Sequence, residues 1–462
     1  MTDINDSSKA SLLLPDPSPA TDSPTGDQTV PSGSNSRGAK DSRARRYNSR
    51  GRGGSSSSCS KRKKQDQGRT AYKRNRDSKW EPRNAEERRP KKKVAVLIGY
   101  CGTGYRGMQL NPPHKSIEGD LFEAFVQAGA ISRSNSDDPK KSSLVRCART
   151  DKGVHAAGNA ISLKLIIEDP DIIQKINSHL PAQIRVWGIV RTVGSFSSYQ
   201  QCDSRRYEYL VPSHCFLPPH PKSYLAKKKT YRISPERLQK VREGFKSYEG
   251  THNFHNFTIQ RTFKDPSSKR FIKSFEVLDP IIINNTEWLS LRVHGQSFMM
   301  HQIRELPQDE MVGMVIMVVR TGCPLERIKE AYGPRVVPIP KAPSLGLLLE
   351  SPVFDAYNRK AERDFLKEPI DFSKYAKEIG AFRDKMIYTK LFEEEERAHV
   401  YTQFVHFIDS FRSPLFHYLT SAGLKALDEV GKEQGVRAMD LQLLPDNESE
   451  DEDTAVKSAE AG

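Results

Sequence analysis

The sequence predicts a folded domain of strands and helices, of α+β or α/β class, between two polar tails. A continuous apolar run at residues 94–98 is typical of a buried strand. Residues 289–294 alternate apolar and polar side chains, as in a strand exposed on one face. Residues 311–319 form an apolar run dense enough for a core helix. These patterns alone do not choose between the two fold classes.

The remaining elements are predicted from the same two patterns, the 3.6-residue period of a helix and the two-residue period of a strand. Ser116 is suited to cap a helix whose apolar residues share one face. Strands are expected at 161–167, at 184–190 and around residues 207–211, where aromatic and apolar side chains alternate. Residues 393–411 predict a single helix, acidic at its start and aromatic towards its end.

Charge is distributed unevenly along the 462 residues, which carry a net charge of +15. Residues 1–95 carry a net charge of +12 and residues 440–462 one of −7, so the middle keeps +10. Both tails have too few large apolar side chains to offset the entropy of ordering, and we expect them to be disordered. The basic middle indicates an anionic partner, first of all a nucleic acid.

The first tail contains short basic clusters, at residues 50–54, 61–64 and 90–93. They are consistent with nuclear import or with non-specific attraction to RNA, and equally with a merely solvated tail. The six cysteines show no C-x-x-C spacing, so we expect reduced thiols and no zinc site. The first residues include acids and lack the basic start of a signal peptide, so we expect no leader peptide. No apolar run approaches about 18 residues, so no membrane association is expected.

The loop within residues 145–158 carries the main chemical signal, because it sets Asp151 among Arg149, Lys152 and His155 between two apolar strands. Gly153 permits a tight turn there. A carboxylate among several potential cations is expected to stay ionised, which suits a nucleophile or an electrostatic stabiliser. From the residues alone, a salt-bridged structural loop is the better explanation of the pattern. Residues 102–104 lack the Lys-Ser/Thr of a phosphate-binding loop.

Residues 148–156, Ala-Arg-Thr-Asp-Lys-Gly-Val-His-Ala, resemble the signature of the tRNA pseudouridine synthase A family. Further segments resemble the family's other motifs and follow in the same order: 99–109, 206–209, 250–254, 297–304, 342–347 and 353–358. The resemblance spans about residues 94–360. The long tails and the helix after residue 390 are similar to the eukaryotic pseudouridine synthase 1 type.

This resemblance implies an α+β fold, in which two pseudo-symmetric halves build an antiparallel-rich sheet with a basic RNA cleft between them. The expected organisation is a disordered basic tail at 1–92, a catalytic domain at 93–385, a helical extension at 386–440 and an acidic disordered tail at 441–462. The halves of the catalytic domain are expected at about 93–212 and 225–360.

The resemblance also assigns roles to particular residues. Asp151 is expected to be the nucleophile, Tyr207 to stack on the base and assist proton transfer, and Arg304 to pair with Asp151. Substrate binding is expected of the remaining basic and imidazole side chains in the motifs: Arg149, Lys152, His155 and Arg206. Because uridine isomerisation needs no external electrons, no cofactor and no metal are expected.

The implied enzyme is an isomerase that acts on tRNA, with small nuclear RNA and messenger RNA as further candidate substrates. We expect a monomer located in the nucleus, with the cytoplasm or mitochondrion as alternatives. One departure from the family pattern is the acidic segment Glu305–Glu310, which follows Arg304 directly and contains Pro307. We expect Pro307 to make this segment loop out or to delay the next helix. The segment favours one alternative, a catalytically impaired RNA-binding or RNA-folding paralogue.

Overall fold

Ten strands form one mixed sheet in the computed structural model, which describes residues 89–219, 228–258, 261–296, 307–410 and 414–428. The strands are β1 (Lys92–Tyr100), β2 (Val145–Arg146), β3 (His155–Leu165), β4 (Ile184–Arg191), β5 (Ser204–Pro212), β6 (Gly250–Asn253), β7 (Lys269–Val277), β8 (Ile281–Ile283), β9 (Thr286–Gly295) and β10 (Leu347–Val353).

Helices accompany the sheet and continue beyond its last strand. They are α1 (Ile117–Gln127), α2 (Ile172–His179), α3 (Pro235–Lys246), α4 (Pro307–Thr321), α5 (Glu326–Glu330), α6 (Asp355–Phe365), α7 (Ala376–Phe382), α8 (Thr389–Ala398) and α9 (Val400–Ser410). A π-helical segment, Arg383–Tyr388, joins α7 to α8 without a break. None of the helices described is long and apolar enough to cross a membrane.

The strand order is β4-β1-β3-β10-β5-β9-β7-β6, with β2 beside β3 and β8 beside β9. Neighbouring strands are antiparallel except β3 and β10, which are parallel and pair through His155–Leu348 and Ala156–Leu349. Antiparallel pairing dominates, and helices lie between the strands, so the predicted α+β class is confirmed.

Most elements predicted from periodicity are present. The Ser116 side chain caps α1 by accepting a hydrogen bond from the Gly119 N–H at 3.2 Å. The strands expected around 161–167, 184–190, 207–211 and 289–294 correspond to β3, β4, β5 and β9. The helix predicted at 311–319 is the central part of α4.

The predicted single helix at 393–411 is wrong, because the chain breaks it at His399. His399 adopts a left-handed backbone conformation with φ of 52° and separates α8 from α9. The buried Glu395 carboxylate accepts hydrogen bonds from Lys228 Nζ at 2.9 Å and from the Tyr401 N–H at 3.0 Å. This carboxylate therefore satisfies a backbone donor at the start of α9, which a continuous helix would not leave available.

Of the two alternatives expected for the acidic segment, looping out is wrong for residues 307–310, whereas a helix that begins at Pro307 is compatible with a delayed start. Pro307 is the first residue of α4, a position where the missing N–H of proline is not needed. Residues 307–310 therefore lengthen the helix instead of looping out, and Glu310 is buried. Residues 304–306 lie outside the described residues.

Different helices cover the two faces of the part of the sheet formed by β5, β9 and β7. Tyr207 and Val293 lie opposite each other on one face, and Phe275, the partner of Val293 on β7, stacks on Phe245 of α3 at 4.6 Å between ring centroids. On the other face, Trp288 of β9 contacts Phe392 of α8 at 4.9 Å. Helix α8 and the π-helical segment before it therefore cover the face that lies opposite to Tyr207.

Glu208 fastens these C-terminal helices to the sheet. Its carboxylate is 2% exposed and accepts hydrogen bonds from Tyr388 Oη and from Ser290 Oγ, each at 2.5 Å. Arg292 Nε lies 3.9 Å from the same carboxylate. A buried carboxylate is tolerated only while such donors surround it.

Replacing Tyr388 with Phe should therefore destabilise the protein. Removal of one donor from a buried acceptor costs about 1–3 kcal/mol, which should lower the midpoint of urea unfolding. Tyr231→Phe is the matched control, because the half-buried Tyr231 hydroxyl has no hydrogen bond among the described residues. Equal midpoints for the two variants would show that Tyr388 does not anchor the helices.

Candidate active site

The Asp151 loop, residues 147–154, connects β2 to β3 and is held by backbone hydrogen bonds to the loop after β1. The Met108 N–H donates to Thr150 O at 2.9 Å, and the Gly153 N–H donates to Tyr105 O at 3.2 Å. Within the loop, the Val154 N–H donates to Asp151 O at 3.2 Å. Gly153 has a φ of 79°, so the tight turn expected there is confirmed.

Glycines allow the two loops to approach so closely. A Cβ atom on Gly102 would lie 2.2 Å from Val154 O, and one on Gly107 would lie 2.8 Å from Thr150 O. Gly107 also has a φ of 106°, which other residues rarely adopt. Any side chain at these positions would displace the Asp151 loop, and this explains why the opening motif places glycine there.

A buried polar cluster supports the loop from below. The Tyr100 hydroxyl lies 2.8 Å from Thr150 Oγ1, and Asn159 Nδ2 donates to Tyr100 Oη at 3.2 Å and to Ala148 O at 3.0 Å. Burial raises the pKa of Tyr100 to about 12, and the charge of Asp151 contributes. Tyr100 is therefore a neutral hydrogen-bonding support at physiological pH.

His155 stands at the beginning of β3 and is only 2% exposed. Its Nδ1 accepts a hydrogen bond from the Gly102 N–H at 3.1 Å, and burial lowers its pKa to about 4. The imidazole is thus neutral at physiological pH, and the expectation that it adds a positive charge to the loop is wrong. It joins the two loops, while its contact with a substrate stays a prediction.

The cations that do flank the carboxylate are Arg149 and Lys152. Both side chains are exposed, and Asp151 between them is half-buried. A third cation of this region, Arg146, is paired elsewhere, because its Nη2 lies 2.8 Å from the buried Glu118 carboxylate. The loop therefore presents one carboxylate and two cations, an arrangement suited to attack on an anionic polymer.

Strand register brings Tyr207 to the level of this loop. In one row across the sheet, Tyr100 pairs with Ala156, Ala156 with Leu349, Leu349 with Tyr207, and Tyr207 with Val293. Three strand spacings separate the backbones of Tyr100 and Tyr207, roughly 14 Å. The Tyr207 side chain is 2% exposed, and burial raises its pKa, so the hydroxyl is protonated at physiological pH.

The structure does not bring all predicted residues together. Arg206 is exposed and, as a strand neighbour of Tyr207, projects from the opposite face of the sheet. Arg304, the predicted partner of Asp151, lies outside the described residues. The pairing of these two residues therefore stays a prediction, as does the role of Arg206 in substrate binding.

The sequence interpretation missed three residues of this region, Tyr100, Asn159 and Arg205. Asn159 carried a usable signal, since a polar side chain inside an apolar strand needs a partner. Arg205 carried another, because residues two apart on a strand share a face and Arg205 precedes Tyr207 by two. Tyr100 gave no signal, because a tyrosine at the end of a buried strand is ordinary packing.

No group of His, Cys, Asp and Glu side chains among the described residues is arranged to hold a metal ion. The cysteines of the described part, from Cys101 to Cys323, are free thiols. Cys59 lies outside it.

Comparisons with known proteins agree with this geometry. A family model described as tRNA pseudouridine synthase matches residues 245–355. "tRNA pseudouridine synthase 1" of Yarrowia lipolytica is 42% identical, over 79% of this chain and 84% of that protein. The Schizosaccharomyces pombe protein of the same name is 39% identical, over 79% of this chain and 91% of its own length. "Pseudouridylate synthase 1 homolog" of Mus musculus is 42% identical, over 67% of this chain and 72% of that protein.

The two fungal relatives are matched over 84% and 91% of their own length. The chain belongs to the tRNA pseudouridine synthase family.

Proposed function

We propose that this protein isomerises uridine to pseudouridine in tRNA, with Asp151 as its nucleophile. The observation that carries the proposal is the Asp151 loop, where a half-buried carboxylate between two exposed cations is fixed by backbone hydrogen bonds. Relatives of high identity are named for this activity. Arg149 and Lys152 are placed to bind phosphates beside the target nucleotide.

The reaction breaks the bond between uracil N1 and ribose C1′, turns the base and joins C5 to C1′. A carboxylate can start it by attack on uracil C6 or on ribose C1′, and the role of Asp151 is compatible with both. The C5 proton is lost and a proton is gained at N1, so atoms and electrons balance within substrate and water.

Tyr207 is the proposed platform for the flipped base. Enzymes that act on a base take it out of the stack, and aromatic rings are suited to receive it. Because its raised pKa keeps the hydroxyl protonated, Tyr207 can donate a hydrogen bond or a proton before it can remove one. The ring is 2% exposed, so neighbouring side chains must move when a base enters.

Two halves are supported by the order of the strands, but with a different boundary, because β5, expected at the end of the first half (93–212), pairs with β9 and β10 and is assigned here to the second. In the first half the chain runs β1-α1-β2-β3-α2-β4, and the sheet order is β4-β1-β3-β2. In the second half it runs β5-α3-β7-β9-α4-β10, apart from the short β6 and β8, and the order is β10-β5-β9-β7. Both follow a split βαββαβ pattern.

The two halves meet where β3 pairs with β10. The first half supplies Asp151 and the second supplies Tyr207, so a cleft between the halves would hold both. The net charge of +10 over residues 96–439 favours RNA in that cleft. We also retain Arg304 as the residue that pairs with Asp151, and Arg206 as a contact for RNA outside the cleft.

Small nuclear RNA and messenger RNA are further candidate substrates, and the nucleus is the proposed location. The basic clusters at 61–64 and 90–93 support both proposals. We also propose that the protein is a monomer and that residues 386–440 form a helical extension of the catalytic domain. The alternative of a catalytically impaired RNA-binding paralogue is favoured by no observation among the described residues or the relatives.

Asp151→Asn tests the nucleophile. The substitution is nearly isosteric, so it should abolish pseudouridine formation on a tRNA transcript while tRNA affinity stays within a few-fold. Tritium release from uracil C5 measures the first quantity and filter binding the second. More than a few per cent of residual activity in the variant would exclude Asp151 as the nucleophile.

Tyr207→Phe separates stacking from proton transfer. The ring is retained, so tRNA affinity should be unchanged, whereas loss of the hydroxyl should lower turnover by about 10²-fold if it transfers a proton. Turnover numbers and dissociation constants are compared for the two proteins on one transcript. Wild-type turnover in Tyr207→Phe would restrict this residue to stacking.

Deletion of residues 1–90 tests the basic tail. These residues precede β1, so the truncated protein should retain its melting temperature and turnover at saturating tRNA. It should bind tRNA more weakly, with a shallower dependence of log affinity on log salt, because fewer counterions are released. An unchanged slope would show that the tail does not touch RNA. Fluorescent fusions should show reduced nuclear accumulation.

A further inference from the structure

Arg205 is a buried cation whose hydrogen-bonding capacity is only partly used. It lies on β5, shares the face of Tyr207 and is 7% exposed. Its Nη2 donates to Cys147 O at 2.9 Å, whereas its buried Nε has no acceptor within the described residues. No carboxylate of the described part of the chain lies within 4.0 Å of this guanidinium.

Such an arrangement is unusual. Arginine is rarely buried unless a carboxylate or phosphate accompanies it, because removing the charge from water is costly. The charged or titratable side chains around Arg205 are instead thiols and phenols: Cys147, Cys202, Tyr207 and Tyr199. A hydrogen bond with Cys147 and the charge of Arg205 lower the pKa of the Cys202 thiol to about 7, so this thiol is a partial counter-charge. Arg205 keeps a positive charge and an unused donor, with no carboxylate beside it.

The position of Arg205 places this charge between the two proposed catalytic residues. Cys147, which accepts its hydrogen bond, begins the Asp151 loop and precedes Asp151 by four residues. On the other side, Arg205 and Tyr207 are neighbours on one face of β5, and the charge of Arg205 acts on the Tyr207 hydroxyl. A base stacked on Tyr207 would thus lie next to the guanidinium.

The reaction creates negative charge at that place. Cleavage of the bond between N1 and C1′ leaves the electron pair on uracil, where it spreads over N1, O2 and O4. If Asp151 instead adds to C6, the pair moves towards C5 and O4. In both routes a carbonyl oxygen becomes more negative, and a buried, preoriented donor stabilises such an oxygen most strongly.

We propose that Arg205 binds the target uracil and stabilises the negative charge that develops on its carbonyl oxygens. This inference rests on the proposed function. Arg205 donates hydrogen bonds and transfers no proton, which suits a guanidinium that stays protonated in proteins. The charge disappears when C5 joins C1′, and the later loss of the C5 proton is balanced by the proton gained at N1.

The competing explanation is purely structural, with Arg205 serving only as a link between β5 and the Asp151 loop. Arg185 is the matched control for that explanation. It also lies on a strand, is half-buried, and its Nη1 donates only to the backbone carbonyls of Pro181 and Ile184. It is at the edge of the sheet, on β4, away from Tyr207.

The experiment compares Arg205→Ala with Arg185→Ala in the full-length protein on a tRNA transcript. Arg205→Ala should lower turnover at saturating tRNA by about 10²- to 10³-fold, the usual effect of losing one such donor. Its tRNA dissociation constant should stay within a few-fold, and Arg185→Ala should keep turnover within a few-fold.

Guanidinium chloride at low millimolar concentration is then added to both variants and to Asp151→Asn. It should raise the turnover of Arg205→Ala by at least about tenfold and should not raise that of Arg185→Ala or Asp151→Asn. A free guanidinium ion supplies charge and donors but is not attached to β5, so it cannot restore a link between strand and loop. Rescue therefore separates charge stabilisation from tethering.

Arg205→Lys covers the case in which the alanine variant does not fold. Lysine keeps the charge but lacks the planar fork, so turnover should fall by about tenfold or more without loss of tRNA affinity. Two results for a folded Arg205→Ala would overturn the inference. One is a turnover equal to that of Arg185→Ala, and the other is a lowered turnover that guanidinium does not restore. If the alanine variant does not fold, wild-type turnover in Arg205→Lys would overturn it as well. An inactive wild-type protein would instead overturn the proposed function.

Discussion

The contact between the loop after β1 and the Asp151 loop is the constraint on which the site depends. It is made by main-chain atoms, with the Met108 and Gly153 N–H groups as donors and glycine at 102 and 107. Main-chain contacts do not change with rotamer, so they fix the Asp151 backbone more firmly than side-chain packing would. A nucleophile held in this way needs little rearrangement before it attacks.

The second constraint is the register of β3, β10 and β5. The side-chain period of a strand is two residues, so a slip of one residue would exchange the two faces of β5. Tyr207 and Arg205 would then turn away from the Asp151 loop, and Arg206 and Glu208 would face it. The parallel pairing of His155 and Ala156 with Leu348 and Leu349 therefore does more than extend the sheet, because it selects which residues of β5 share the face of Arg205, which contacts the start of the Asp151 loop.

Local features were predictable from the sequence, and features that need a distant partner were not. The Ser116 cap and the Gly153 turn depend on neighbouring residues, and both are confirmed. The break at His399 depends on Glu395 and on Lys228, which is far away in the chain, so periodicity alone suggested an unbroken helix. Sequence motifs proposed Asp151 and Tyr207 as site residues, whereas the neutral state of His155 follows only from its burial beside Gly102.

If Tyr207 and Arg205 receive the target base as proposed, their burial links binding of tRNA to the chemistry. With exposures of 2% and 7%, these side chains cannot receive a base until their surroundings move. Contacts made by the rest of the tRNA must supply the free energy for that movement, as remote binding interactions do in other enzymes. A uridine in a short RNA offers few such contacts and should open the site poorly. Once a base has entered, the same burial keeps water out, and the electrostatic effect of a guanidinium on developing charge is largest there.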